Sequence, residues 1–380
     1  MSDQEQSLES IPVCRPLLPV AAKLYPYLER IDAQRYYSNM GRLTIEFEER
    51  LAHHFGVEAD CVVTSANGTL ALIQLLKALG AQAGRLCVMP SWTFTATPTA
   101  ALAAGLTPYF IDVDEKDWSI HPEKIYELIK TKNVGAVMPV APFGCPIPLE
   151  AWERFHVATG IPVVIDAAAG FDSFRHEQFP LKSTIPFMVS LHATKVLGVG
   201  EGAVVVTGDP ELAKHVRMYG NYGFQGSRIS TLPGINAKLS EYVSAVGLAA
   251  LDEWPLRRKE WHQLSCQFEA HLKNYPQISM APSFNQGWVS CYGLIKLMAG
   301  HHADLIRVDL AKEGIHTLAW WGKGCHTNPA YEHCPRENLI ITDDLGDRVL
   351  GLPFWIGLEE SHLVRILGAL NKCLTERREY

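Results

Sequence analysis

The chain has no apolar run long enough to cross a bilayer. Its longest candidates, around Thr97–Leu106 and Val134–Phe143, are short and broken by Pro or Gly, whereas a spanning helix needs roughly 18 apolar residues or more. Blocks of Lys or Arg are missing too. With 34 basic and 41 acidic residues the net charge is −7. Binders of nucleic acid or anionic membrane usually carry a basic patch, so neither partner is expected. The N-terminus lacks the basic stretch and apolar core of a secretory leader, its first residues being polar and acidic. The cysteines, at 14, 61, 87, 145, 266, 291, 325, 334 and 373, are odd in number and none forms Cys-x-x-Cys. That pattern gives no disulfide framework, and reduced thiols in a cytoplasm are the expectation. Internal repeats, low-complexity tracts and Gly/Ser linkers are also lacking.

What is present belongs to a folded chain. It has 380 residues, 47% apolar and 20% charged, enough for a sizeable core and, by length, for two domains. Residues 1–40 read as an irregular arm. Thr44–Phe55 reads as an amphipathic helix, with Phe47, Leu51 and Phe55 on one face. Strands are expected at Cys61–Thr64, Leu86–Met89, Pro108–Asp112, Val134–Val140, Val163–Asp166, Met188–Leu191 and Ala203–Thr207. Helical patterns fall between them at Thr69–Leu79, Ala96–Ala104, Pro122–Ile129 and Leu149–Thr159. Strands alternating with helices imply parallel strands joined by crossovers, hence an α/β layered sheet. From about 255 the periods lengthen, beginning with "RRKEWHQLSCQFEAHLKNY", and the tail closes with a helix near Leu358–Thr375. The expectation is a large domain over 41–255 and a smaller α+β domain over 256–380.

Three strand–turn–helix or strand–turn–strand junctions carry the chemistry. In "CVVTSANGTLALIQLL" a strand runs into a Gly turn and a helix start, whose free N–H groups and dipole suit a phosphate; an ordinary capped turn reads the same way. In "PVVIDAAAGFDSF" Asp166 ends a buried strand, where a carboxylate is costly without a partner. Strand carboxyl ends line the ligand crevice of α/β sheets, so a bound cationic ring would explain it, as would an N-cap or an internal salt bridge. In "MVSLHATKVLGVGEGAVVVTG" Lys195 follows an apolar strand and precedes Gly198, Gly200 and Gly202. A lysine held against apolar groups has a lowered pKa and can form a Schiff base with an aldehyde, although a lone lysine also reads as a surface loop residue. Together, a phosphate cradle, a strand-end carboxylate and a lysine five residues after Ser190 match pyridoxal phosphate, which has a phosphate, a ring nitrogen and an aldehyde.

On these motifs the sequence resembles the DegT/DnrJ/EryC1/StrS family of sugar aminotransferases. The likeness runs from "YYSNMGRLTIEFEERLAHHFG" through "PSWTFTATPTAALAAGLTPYFIDVD" to "DLGDRVLGLPFWIGL". Its most specific piece is Ser190 and Lys195 followed by Gly200-Glu201-Gly202. The resemblance implies the type I fold of pyridoxal-phosphate transferases, with a mostly parallel central sheet flanked by helices and a smaller C-terminal domain. It implies pyridoxal 5'-phosphate as cofactor and a reaction moving an amino group, with glutamate the expected donor, onto a keto sugar carried by a nucleotide diphosphate. Lys195 would be the Schiff-base lysine and proton carrier, and Asp166 the partner of the pyridinium nitrogen. Gly68, Thr69 and Ser190 would hold the phosphate. Phe94 would stack on the ring face, with Trp92 as the alternative. Asn236, in "GINAKLSEYVSAVGLAALDEW", would reach the phosphate of the neighbouring subunit, implying a homodimer with shared sites. Two positions depart from the family. Ala169 stands where many members have Gln or His near the ring hydroxyl, and Ala203 stands where a further glycine is common.

Competing readings follow the same residues. A sugar dehydratase of this fold would carry His in place of Lys195. A non-catalytic cofactor-binding sensor normally has a DNA-binding appendage, for which the arm before residue 40 is too short. A cyclitol or other non-nucleotide keto substrate stays open. The cluster "CHTNPAYEHC" lacks the paired spacing of a closed zinc site, and no metal is expected. The pairs His53-His54 and His301-His302 read as solvated, and His192 as either packing or cofactor-adjacent. Trp320-Trp321 reads as second-domain core or a pocket wall. Arg217 and Arg228 each offer a fork for a substrate diphosphate, or a solvated helix end and loop.

Overall fold

A computed structural model describes residues 9–177 and 183–376. The N-terminal arm is not wholly irregular: Ile11 makes a parallel bridge to Ile315, and helix α1 (Ala21–Gln34) follows. α2 (Arg42–Phe55) buries Leu43, Phe47, Leu51 and Phe55 along one face, as the i, i+4 spacing requires. The alternating region then forms β1 (Val62–Ser65), α3 (Gly68–Ala78), β2 (Leu86–Pro90), α4 (Ala96–Ala103), β3 (Thr107–Ile111), α5 (Pro122–Leu128), β4 (Val134–Val137), α6 (Leu149–Thr159), β5 (Ile165–Asp166), β6 (Phe187–Ser190) and β7 (Ala203–Val206).

β2 pairs in parallel with β3 and β4, and β5 pairs in parallel with β6. The bridges Val137↔Val163 and Val140↔Asp166 join the two groups. The combined order is β3-β2-β4-β5-β6-β7-β1, with β7 antiparallel to both of its neighbours. β1, β4 and β7 are buried at every position, which is why their sequences are continuous apolar runs rather than alternations. β4 stops short of the expected Val140 because Pro139 has no N–H to give the ladder. The Pro139 carbonyl still accepts from the Asp166 N–H at 2.9 Å, so the ladder resumes at the strand end that matters.

After α7 (Pro210–Tyr219), α8 (Glu241–Leu272) runs unbroken through Pro255. Residue 255 therefore lies inside a helix shared by both parts of the chain, its first half burying Leu248 and its second Leu264 and Phe268. Beyond it come β8 (Ile278–Met280), β9 (Gly293–Leu297), α9 (Ala303–Lys312), α10 (Ile340–Arg348), β10 (Val349–Leu352) and α11 (Glu360–Glu376). β9 is the centre of an antiparallel sheet between β10 and β8.

Two buried carboxylates cap helices far away in sequence. Glu241 accepts from the Leu43 and Thr44 N–H groups of α2 at 2.9 and 3.0 Å. Asp112, just after β3, accepts from the Ile341 and Thr342 N–H groups of α10 at 2.7 and 2.8 Å. The second contact ties the C-terminal elements to the large sheet. Asp112→Ala leaves those donors unsatisfied and should cost about 1–2 kcal/mol of stability, read as a lower thermal midpoint. Activity per folded molecule should persist, and an unchanged midpoint would show that the cap contributes little.

Candidate active site

The carboxyl end of β6 meets the start of α3, and β5 lies beside β6. Asp166, the last residue of β5, is 4% exposed. Its Oδ2 accepts from the Thr97 hydroxyl at 2.7 Å and its Oδ1 from the Ala168 N–H at 3.1 Å. Thr97 is itself paired with the Thr93 hydroxyl at 2.7 Å. Both partners of the carboxylate are neutral. Burial pushes its pKa up, and the Thr97 and Ala168 donors and the nearby Lys195 charge offset this only in part. A carboxylate oriented by neutral donors in this way suits a cationic group brought from outside.

The turn expected to hold a phosphate opens a helix. Asn67 caps α3 through the Leu70 N–H at 2.9 Å, leaving the first-turn N–H groups of Gly68 and Thr69 directed outward. A Cβ added to Gly68 would lie 3.2 Å from Met188 and 3.8 Å from the Ser190 Cβ. Gly68 thus lets the α3 N-terminus come against β6, and it sets the Ser190 side chain beside the helix start. Across the sheet, Ala203 is paired with both Ser190 and Ser65, so the departure at Ala203 is one of packing.

Lys195 lies in the tight loop between β6 and β7. The loop is closed by Ala193 N–H to Gly200 O at 2.8 Å and Lys195 N–H to His192 O at 2.9 Å. Gly198 is required there, because a Cβ would sit 2.7 Å from the Ala193 carbonyl oxygen. The lysine Nζ donates to the Tyr292 Oη at 2.6 Å. Contrary to the lowered pKa expected, that of Lys195 is raised. Burial alone would lower it, but the Tyr292 and Cys291 groups, with Asp166, outweigh burial. Tyr292 belongs to an aromatic wall. Phe143 stacks on Trp321 at 3.8 Å, and both Phe143 and Trp320 meet the Tyr292 ring edge-on. The Trp pair is thus a wall of this site.

The other expected residues fall around this centre. Phe94 is 59% exposed beside the α4 start, whereas Trp92 is buried against Trp321. Asn236 is exposed, and its neighbour Ala237 accepts from the Ala66 N–H at 2.8 Å, which holds the loop alongside the turn before α3. His192 pairs with Thr194 at 2.9 Å. Arg217 is engaged by Glu48 at 2.9 Å and by the Val62 carbonyl, so it is not a free fork, while Arg228 is exposed. His326 bridges Ser91 at 2.8 Å and Asp343 at 3.1 Å, and the Cys325 thiol donates to the Thr93 carbonyl. Two histidines expected in solvent are not there: His54 stacks on Phe171 at 4.1 Å, and His301 is buried. Thr93, Thr97 and Tyr292 were not singled out by the sequence. Thr97 carries no signal of its own, and Tyr292 sits in an ordinary strand pattern.

The donor set fits pyridoxal phosphate: a helix N-terminus with a serine for the phosphate, a buried strand-end carboxylate for the ring nitrogen, and a lysine amine for the aldehyde. Fold and site together define a type I pyridoxal-phosphate enzyme. The profile of the DegT/DnrJ/EryC1/StrS aminotransferase family matches residues 21–371. The dTDP-4-amino-4,6-dideoxy-D-glucose transaminase of Escherichia coli is 30% identical over 366 residues, covering 94% of this chain and 97% of that protein. The crystal structure of DesI in the presence of its TDP-sugar product is 31% identical, covers 98% of this chain and 96% of that one, and superposes with a TM-score of 0.87. A PLP-dependent aminotransferase structure from Bacillus cereus is 28% identical, covers 96% and 100% of the two chains, and gives a TM-score of 0.88. The chain belongs to the DegT/DnrJ/EryC1/StrS aminotransferase family, and its cofactor is pyridoxal 5'-phosphate. Among the described residues no helix is long and apolar enough to cross a membrane.

Proposed function

We propose that this enzyme transfers an amino group from an amino-acid donor, glutamate, to a keto sugar carried on a nucleoside diphosphate, working as a cytoplasmic homodimer. The observation that carries the reading is the convergence of Lys195, buried Asp166 and the α3 N-terminus at one end of the sheet. Likeness over nearly the whole chain to a transaminase named for a dTDP-linked amino sugar supports the substrate class.

Pyridoxal phosphate, when bound, supplies the electron sink for the carbon from which a proton is removed. Asp166 would accept a hydrogen bond from the ring N–H and keep that nitrogen protonated, and Thr97 and Ala168 hold the carboxylate in orientation. Lys195 Nζ, as the neutral amine, would take the proton from the donor α-carbon and pass it to the cofactor, and in the second half of the cycle would carry a proton back from the cofactor to the sugar carbon. The Gly68 and Thr69 N–H groups and the Ser190 hydroxyl bind the phosphate. Phe94 would cover the ring face and exclude water. Asn236 completes the phosphate site of the neighbouring subunit.

A panel of nucleotide-linked keto sugars, offered with glutamate to the cofactor-loaded protein and read by mass spectrometry, tests the function. Gain of an amino group by at least one of them is the expected result. Amination of a free keto cyclitol alone would overturn the substrate class.

Asp166→Asn removes the charge while keeping size and most hydrogen-bonding capacity. Both half reactions should slow by at least about a hundredfold, with the fold retained and some cofactor still bound. A structural Asp166 gives the reverse: stability falls by about 1–3 kcal/mol as a buried hydrogen bond is lost, while turnover per folded molecule stays normal. Thermal melts beside single-turnover rates separate the two outcomes.

Shared sites predict complementation. Lys195→Ala and Asn236→Ala should each be strongly impaired alone, and mixing them with subunit exchange should regenerate sites that have both residues. No recovery under demonstrated exchange would mean that each site is built within one chain.

A further inference from the structure

We propose that Tyr292 is a positioning residue for Lys195: its phenol oxygen holds the lysine amine whenever that lysine is not bonded to the cofactor. The inference rests on the aminotransferase reading only in taking Lys195 as the reactive amine. The contact itself is in the geometry. Nζ lies 2.6 Å from Oη but 5.2 Å from the ring centroid, so the amine sits off the hydroxyl end of the ring and not over its face. That is a hydrogen bond, not a cation–π contact.

The oxygen is a fixed point because the ring is fixed. Phe143 meets it at 5.3 Å and 74°, and Trp320 at 5.1 Å and 81°, both edge-on. The backbone is pinned where it enters β9, the Tyr292 N–H donating to the Ser290 hydroxyl at 3.1 Å. A free lysine side chain, by contrast, has many rotamers, and ordering it costs free energy. A rigid acceptor at hydrogen-bond distance keeps the amine beside the site between the two half reactions. The lysine then exchanges one defined position for another.

The surroundings set the protonation state. Asp166 from β5 acts on the Lys195 charge, while Cys291 beside Tyr292, Cys14 and Arg15 from the arm, and Arg257 from α8 share a small cavity of about 30 Å³ with the lysine loop. Burial raises the pKa of the phenol, and the Lys195 charge only partly offsets this, so at neutral pH a neutral Tyr292 accepts from a lysine ammonium. Removing that acceptor should let the ammonium lose its proton at lower pH.

The deciding experiment uses the full chain without cofactor. Lys195 is labelled by reductive methylation across a pH series and read by peptide mass spectrometry. In Tyr292→Phe, which removes one oxygen and keeps the ring contacts, half-labelling should move about one pH unit lower, the shift carried by one charge-assisted hydrogen bond. Tyr331→Phe, which removes a phenol oxygen bonded to Thr99 rather than to Lys195, should leave the curve where it is. With cofactor and substrates, Tyr292→Phe should lower kcat about tenfold and leave KM for the keto sugar within about twofold. A labelling curve superposable on the wild type, at an unchanged melting temperature, overturns the proposal. So does a raised KM with normal kcat, which would place Tyr292 on the substrate instead. Labelling needs no sugar, so this inference and the proposed function can fail separately.

Discussion

A carboxylate buried at the end of a parallel strand is the constraint around which this molecule is organised. Asp166 is 4% exposed and held by two neutral donors; burial raises its pKa, and a positive charge brought to it favours the ionised form. The strand position supplies the location. β5 is two residues long, and it is fixed by β6 on one side and by the bridges to Val137 and Val140 on the other. The same register places Ser190 beside the α3 N-terminus, so both ends of the candidate site, the α3 N-terminus and Asp166, are set by one sheet. The spacing between those ends is a property of strand pairing, which side-chain flexibility can alter little.

The second requirement is that groups from the C-terminal elements stay aligned with that sheet. Tyr292 enters from the start of β9, yet its oxygen must stay within hydrogen-bond reach of Lys195 on the large sheet. The joint is made of buried and half-buried polar contacts. Asp112 caps α10, Ser91 binds His326, and the Cys325 thiol donates to the Thr93 carbonyl. The last two fall in the "PSWTF" segment that also carries Phe94, so the exposed ring and the aromatic wall behind it share an anchor. α8 spans both parts of the chain as one rod, and the arm returns to Ile315 and Phe354. Movement between the parts would have to break several of these contacts together.

Much of this could be read along the chain. The strands before Asp166 and Ser190 and the helices between them appear in the structure within a residue or two of their expected ends, because period and apolar content are local properties. The turn at Gly68, the strand-end Asp166 and the glycines after Lys195 were legible for the same reason: each is a strand followed by a turn with special backbone needs. Where a local rule competed with another, the reading slipped. Pro139 cut β4 short inside an unbroken apolar run, and α1 formed in the arm despite Pro26 within it. What only the tertiary structure decided is which groups touch across long separations. Lys195 and Tyr292 are 97 residues apart and Asp166 and Thr97 are 69 apart, and neither pairing leaves a periodic trace. The raised pKa of Lys195 follows from such contacts, so the sequence alone, which offered burial as its only cue, pointed the other way. A sequence records the strength of local preferences; the field at a buried charge is summed over neighbours that only folding brings together.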